Sequence, residues 1–189
     1  MIAYNSNASE VLNVISNKLN KAMSEQETDK MLRKIASTLT AVLRVRVHQN
    51  GIAADGSKIG TYSPQYMKVR TGQFGNATRV KSGKNKGKAK DAGVVTRGAN
   101  KGQQRNKYNR TSDTKVILSL TRQMEQDMTT CERNPIKIPY GYAIGYANEE
   151  NYNKLIWNEQ RYGKKILTKL SAEEEDLVDI MVENAIATN

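Results

Sequence analysis

Residues 75–110 carry eleven Lys or Arg side chains, namely Arg79, Lys81, Lys84, Lys86, Lys88, Lys90, Arg97, Lys101, Arg105, Lys107 and Arg110, against one acid, Asp91. A stretch of this kind cannot supply a hydrophobic core, because the apolar surface it could bury is too small to offset the entropy of ordering it. Its sizeable apolar groups are Val80, Val94, Val95 and Tyr108, and six of the chain's 13 glycines lie within it. The segment is net +10 while the whole 189-residue chain is +11, so the basic character belongs to one segment and not to the fold. It is expected to be a mobile arm when isolated. As a coil it would reach roughly 30–36 Å, and fully extended on the order of 120 Å, far enough to meet a partner beyond its own domain.

The remaining ~150 residues suit a single medium-sized domain with a real core. The pattern along them predicts an α+β fold: a long helix and C-terminal helices packed on a small antiparallel sheet, with the basic arm inserted. Residues 1–74 form its N-terminal helical part, 75–110 the arm, and 111–189 its strands and C-terminal helices. One cysteine, Cys131, rules out an intramolecular disulfide framework and reads as a small half-buried hydrophobe. No apolar run approaches the ~18–20 residues of a membrane span, so no membrane partner is expected. The start, Met1-Ile-Ala-Tyr-Asn-Ser6, has neither the charged nor the apolar region of a signal peptide.

In chain order, Ser9 is an expected N-cap for a first helix carrying Val11, Leu12, Val14, Ile15 and Leu19 on one face. Residues 24–29 read as a polar joint. From Thr28 the apolar positions Met31, Leu32, Ile35, Leu39, Val42 and Leu43 keep a helical period for about five turns, and Asn50-Gly51 stops the helix. His48 at its end reads as a capping or surface residue. Ser63 followed by Pro64 predicts a short helix to about Arg70. Thr114, Val116 and Leu118 alternate with polar residues and predict a short strand or a turn. Residues 128–132, then Ile136, Ile138, Tyr140, Tyr142, Ile144 and Tyr146, read as two strands joined around Arg133-Asn134-Pro135. Asn148 should cap a helix ending near Gly163, and Ile166 with Leu167 forms a short apolar element. Ser171-Ala-Glu-Glu174 has the form of a capping box for a last helix, whose cluster of residues 173–176 is expected to be a solvated, dipole-complementing group.

Catalytic signatures are not expected in this chain. A zinc site takes four Cys or His ligands, and only His48 and Cys131 are present. Gly83-Lys-Asn-Lys-Gly87-Lys88 has the wrong spacing for a phosphate-binding loop and lacks the Ser or Thr after the lysine. The acids at 149–150 and 173–175 fall in helix first turns and form no acid/base pair. No enzyme activity, cofactor or metal is predicted.

The landmarks taken as a series are Val45-Arg-Val-His48, Gly51, Asp55-Gly56, Tyr62-Ser63-Pro64 with Tyr66, the basic segment, and Leu118-Ser-Leu-Thr-Arg-Gln-Met124. Tyr142-Ala-Ile-Gly-Tyr146, Arg161-Tyr-Gly-Lys-Lys-Ile-Leu167 and the capped last helix complete them. In this order, across about residues 30–186, the chain resembles the bacteriophage virion morphogenesis or tail completion proteins. The resemblance implies a head-tail connector of the phage neck, assembled in the host cytoplasm and residing in the virion between portal and tail. Its lysine- and asparagine-rich composition fits a short-tailed phage of the crAss-like group. Two departures stand out: Arg122 and Met124 replace the family's Gly and Leu, and the arm is longer than the usual turn.

What the resemblance implies for partners is a homo-oligomeric ring of sixfold or twelvefold symmetry, joined to other neck, portal or tail proteins. Such a ring makes heterologous contacts to both neighbours. Tyr62, Tyr66, Tyr142 and Tyr146 are the expected subunit-interface residues, and the arm cations are expected to meet acidic subunit surfaces or packaged DNA. A nucleic-acid-binding protein acting alone, with the arm as a sequence-blind phosphate clamp, is the alternative. A host-directed toxin or other small enzyme is a third reading.

Overall fold

Ser24 starts the longest helix. Its hydroxyl accepts from the Glu27 amide, and the Glu27 carboxylate accepts from the Ser24 amide at 3.0 Å, closing a capping box three residues ahead of the expected start. The joint expected at 24–29 is therefore the first turn of a helix, because Ser24 and Glu27 satisfy each other's orphan backbone groups. The computed structural model describes residues 14–17, 23–71, 74–79, 83–84, 86, 89–91, 96–99, 101–103, 112–119, 121–139 and 141–187. Of the first expected helix only 14–17 are described, and they are helical; Ser9, Val11, Leu12 and Leu19 lie outside the described residues.

Helix α1, Glu25–Arg44, runs into a π-helical turn, Val45–Asn50, and ends at Gly51, whose left-handed φ of 64° suits glycine. Ile35, Leu39, Leu43 and Val47 recur four residues apart and are buried. Each such side chain contributes about 1.5–3 kcal/mol of burial. The wider π turn keeps Val47 and His48 both buried at the helix end. His48 is thus a core residue and not a surface one: its Nε2 lies 3.0 Å from the Tyr146 hydroxyl.

Residues 128–132, expected as a strand, lie in helix α3, Gln123–Arg133. Met128 and Cys131 are the buried positions, a helical spacing of three. Thr129 and Thr130, which favour strands, return their hydroxyls to the carbonyls of Glu125 and Gln126. Packing of α3 against α1 overrides local propensity. The long alternating strand expected over 136–146 is also absent. Strand β3, Lys137–Ile138, turns directly into β4, Gly141–Tyr142, with Lys137 opposite Tyr142 and Ile138 opposite Gly141. Pro139 offers no amide to a ladder, and Gly141 at φ +143° reverses the chain. Tyr140 lies outside the described residues.

Asn148 caps helix α4, Glu149–Tyr162, through its side chain to the Glu150 amide, and Gly163 closes it at φ 64°. The Ser171–Glu174 capping box opens helix α5, Ala172–Ala187, with the Ser171 amide donating to Glu174 Oε2 at 2.8 Å. Glu174 differs from the solvated acid expected: it is 2% exposed and forms a two-pronged pair with Arg46, at 2.6 and 3.1 Å. Ile166 and Leu167 are buried without regular secondary structure. Their amides, and that of Thr168, donate to Glu159 Oε1 at 2.8, 3.0 and 3.1 Å, while Thr168 Oγ1 donates to Oε2 at 2.7 Å.

The contacts divide this α+β chain into two compact units. One comprises Met1–Ile59 and Ile117–Asn189, with α1 lying against α3, α5 and β4; the other is Gly60–Val116. Among the described residues no helix is long and apolar enough to cross a membrane.

Candidate functional site

The unit Gly60–Val116 is closed at its own two ends. The Tyr62 amide donates to Thr114 O at 2.8 Å, the Val116 amide to Gly60 O at 3.1 Å, and Thr61 bridges Lys115 antiparallel. Asp113 Oδ1 accepts from the Lys115 amide at 2.9 Å, which braces the returning strand. Next comes helix α2, Pro64–Arg70, started by Ser63 as expected, whose hydroxyl accepts from the Tyr66 amide at 3.2 Å. The Tyr62 and Tyr66 rings lie 4.8 Å apart. Arg70 is buried with its guanidinium 4.7 Å above the Tyr62 ring, so this cation is spent inside the unit.

Strand β1, Phe74–Arg79, follows and pairs antiparallel with β2, Ala89–Asp91, Phe74 opposite Asp91 and Arg79 opposite Ala89. An arm without elements of its own was the expectation; paired strands stand in it instead. Ladder bonds are made by backbone and need no apolar side chain, and tying residues 61 and 115 together shortens the loop whose closure costs entropy.

The cations fall along this frame. Arg79 is in β1 and Lys90 in β2; Lys84 and Lys86 lie in the connection between the strands, Arg97 and Lys101 beyond β2. Lys84, Lys86, Arg97 and Lys101 are all exposed. Lys81, Lys88, Arg105, Lys107 and Arg110 lie outside the described residues. Of the expected interface tyrosines, Tyr62 and Tyr66 belong to this unit and Tyr142 and Tyr146 to the other. Tyr142 donates to Asp29 Oδ2 at 2.9 Å, and Asp29 also takes Lys137 Nζ at 2.6 Å. These bonds, Lys137 first, hold the Asp29 carboxyl below its ordinary range. Burial, then the charge of Asp127, pushes the Tyr146 hydroxyl far up.

Charge divides where the contacts divide. Residues 60–116 hold fourteen Lys or Arg and two acids, net +12, whereas the other unit holds sixteen and seventeen, net −1. In that second unit many charges are paired internally: Arg44 with Glu132, Arg46 with Glu174, Lys137 with Asp29 and Lys154 with Glu150. The two acids of the basic unit, Asp91 and Asp113, are outnumbered by its fourteen cations. The boundary at 60 and 116 was not readable from composition, because the bridge that draws it joins residues 54 positions apart.

Among the described residues, concavities lie in the other unit. An open cleft of about 630 Å³ is lined by Arg46, Lys164, Lys165 and Lys169 but also by Asp55, Glu173 and Glu175, so its cations are nearly matched by acids. Lys164 is already bonded to Ser57 Oγ at 2.7 Å and to Lys58 O. Cys131 is buried, its thiol pushed up to about 11 by burial and by Asp127. Among the described residues no three His, Cys, Asp or Glu side chains gather as a metal ion would require. No protein-family model matches this chain, and no curated protein or solved structure matches it either.

Proposed function

We propose that this chain is a structural component of a phage neck, a head-tail connector or tail completion protein that joins its neighbours in a ring between portal and tail. The ordered landmarks in its sequence support the reading. The observation that carries it furthest is the separation of a near-neutral unit from a unit of net +12. A ring subunit needs a stable body and a surface for a partner, and a concentrated positive charge steers and favours association with an anionic surface. In the ring, the segment 75–110 docks against an acidic neighbouring subunit, an adjoining ring or the packaged DNA.

Particle assembly tests this. A chain lacking residues 75–110 should keep its near-neutral unit folded and fail to enter particles; normal incorporation would overturn the segment's role. The charge separation also favours a second reading, a nucleic-acid-binding protein working alone. Light scattering on the purified chain with and without a roughly 30-base-pair duplex separates the two, since autonomous binding weakens with a log-log salt slope near −0.9 per phosphate neutralised. A duplex complex that persists at physiological salt would favour the second reading.

A further inference from the structure

Between β1 and β2 the chain reads Gly83-Lys84-Asn85-Lys86-Gly87, and fifteen residues later Gly98-Ala99-Asn100-Lys101-Gly102. The pattern Gly-x-Asn-Lys-Gly occurs at these two places in the sequence. The backbone repeats with it. The Lys86 amide donates to Gly83 O at 2.9 Å and the Lys101 amide to Gly98 O at 3.1 Å, and the two leading glycines have φ of +80° and +83°. In both, the carbonyl of a glycine in the left-handed region accepts from the amide of the lysine three residues on, the closing bond of a β-turn. Neither carries an acid: Lys84 and Lys86 are exposed in the first, and Lys101 is exposed in the second with Arg97, also exposed, immediately before it.

A duplicated, cation-tipped turn suits a ligand whose charge itself repeats. We propose that the two Gly-x-Asn-Lys-Gly turns are phosphate contacts through which the basic unit holds the backbone of double-stranded nucleic acid, without reading its sequence. Three features select this partner. Lysine contacts phosphate as a point charge, and such contacts position a backbone and carry no base information. Single-stranded binders stack bases on aromatic rings, and residues 75–110 hold one aromatic, Tyr108. Protein interfaces concentrate apolar and aromatic anchors and are poor in lysine, the reverse of this segment. The inference rests on reading the basic unit as the chain's partner-facing surface and stands whether or not that surface belongs to a neck.

Fluorescence anisotropy of the full chain tests it, with two roughly 30-base-pair duplexes of unrelated sequence, one single strand of equal length, and polyglutamate as competitor. Equal affinity for both duplexes, weaker single-strand binding and poor displacement by polyglutamate are expected. In Lys86→Ala/Lys101→Ala the log-log salt slope should become shallower by about 2, with both duplexes losing affinity alike. Both side chains are exposed on turns, so an unchanged circular dichroism spectrum and Tm should accompany the loss; Lys84→Ala/Arg97→Ala serves as an independent second pair. An unchanged slope in both variants would overturn the role of the turns. Preference for single strands, or displacement by polyglutamate at matched charge, would overturn the duplex assignment and point to an acidic protein surface. Particle incorporation reports on the neck reading separately, because a chain that binds no duplex can still enter particles.

Discussion

Arg46 and Glu174 join the end of α1 to the start of α5 through a pair that is 11% and 2% exposed. Arg46 also donates to the Ile52 carbonyl at 3.1 Å, and Glu174 accepts from the Ser171 amide at 2.8 Å, so each charge has other work besides its partner. Truncating one side leaves a buried charge uncompensated, whereas replacing both with apolar groups removes the problem with the pair. Glu174→Ala is expected to cost about 3–5 kcal/mol in urea unfolding. Arg46→Met/Glu174→Leu should recover most of that loss, and a double variant as unstable as the single one would show that the cap, and not the ion pair, dominates. In the sequence Glu174 belonged to a cluster expected to be solvated. Its partnership with Arg46 spans 128 positions and has no local signature.

At the scale of elements, α2, α4 and α5 announce themselves through the caps Ser63, Asn148 and Ser171, whereas the Ser24 cap of α1 stands where a polar joint was expected; each satisfies backbone amides of the first turn that follows. The connection 164–170 has no such signature and is ordered by one carboxylate. Burial alone would raise the Glu159 pKa, but the hydrogen bonds from Thr168 and the amides of 166–168 outweigh it and hold the group below its ordinary value. A depressed folded pKa stabilises the fold above the unfolded value of about 4.3, and that stability is lost as pH falls through the folded pKa. Glu159→Gln should therefore cost about 3 kcal/mol at neutral pH. It should also flatten the acid limb of the stability profile. An acid limb as steep as that of the parent protein would place the responsible carboxylate elsewhere. The alternating residues 136–146 and the threonine-containing stretch 128–132 misled because both patterns were short, and Pro139, Gly141 and the face offered by α1 decided between strand, turn and helix.

For the whole molecule, the contacts and the charge share one partition, and this has a measurable consequence. Lys84, Lys86, Arg97 and Lys101 are exposed outside the strands of the unit Gly60–Val116, while α1 lies against α3 and α5 in the other unit. Limited trypsin should cut first after these four residues. The fragments containing α1 and α5 should then elute together, because their shared core is untouched. Early cleavage within α1 or α5, seen by mass spectrometry, would contradict this partition, and slower cleavage with duplex bound would accompany the phosphate contacts proposed for the turns.

Sequence alone determined what depends on neighbours along the chain. Helix caps, the stripe through Ile35, Leu39 and Leu43, the stop at Gly51 and the density of cations in 75–110 are all set within a few residues. Only the tertiary structure decided that residues 128–132 are helical and that His48 and Glu174 are buried. It also decided that the basic segment belongs to a unit closed by the bridge between Thr61 and Lys115. Those outcomes rest on partners far apart in sequence, whose hydrogen bonds and burial exist only once the chain has brought them together.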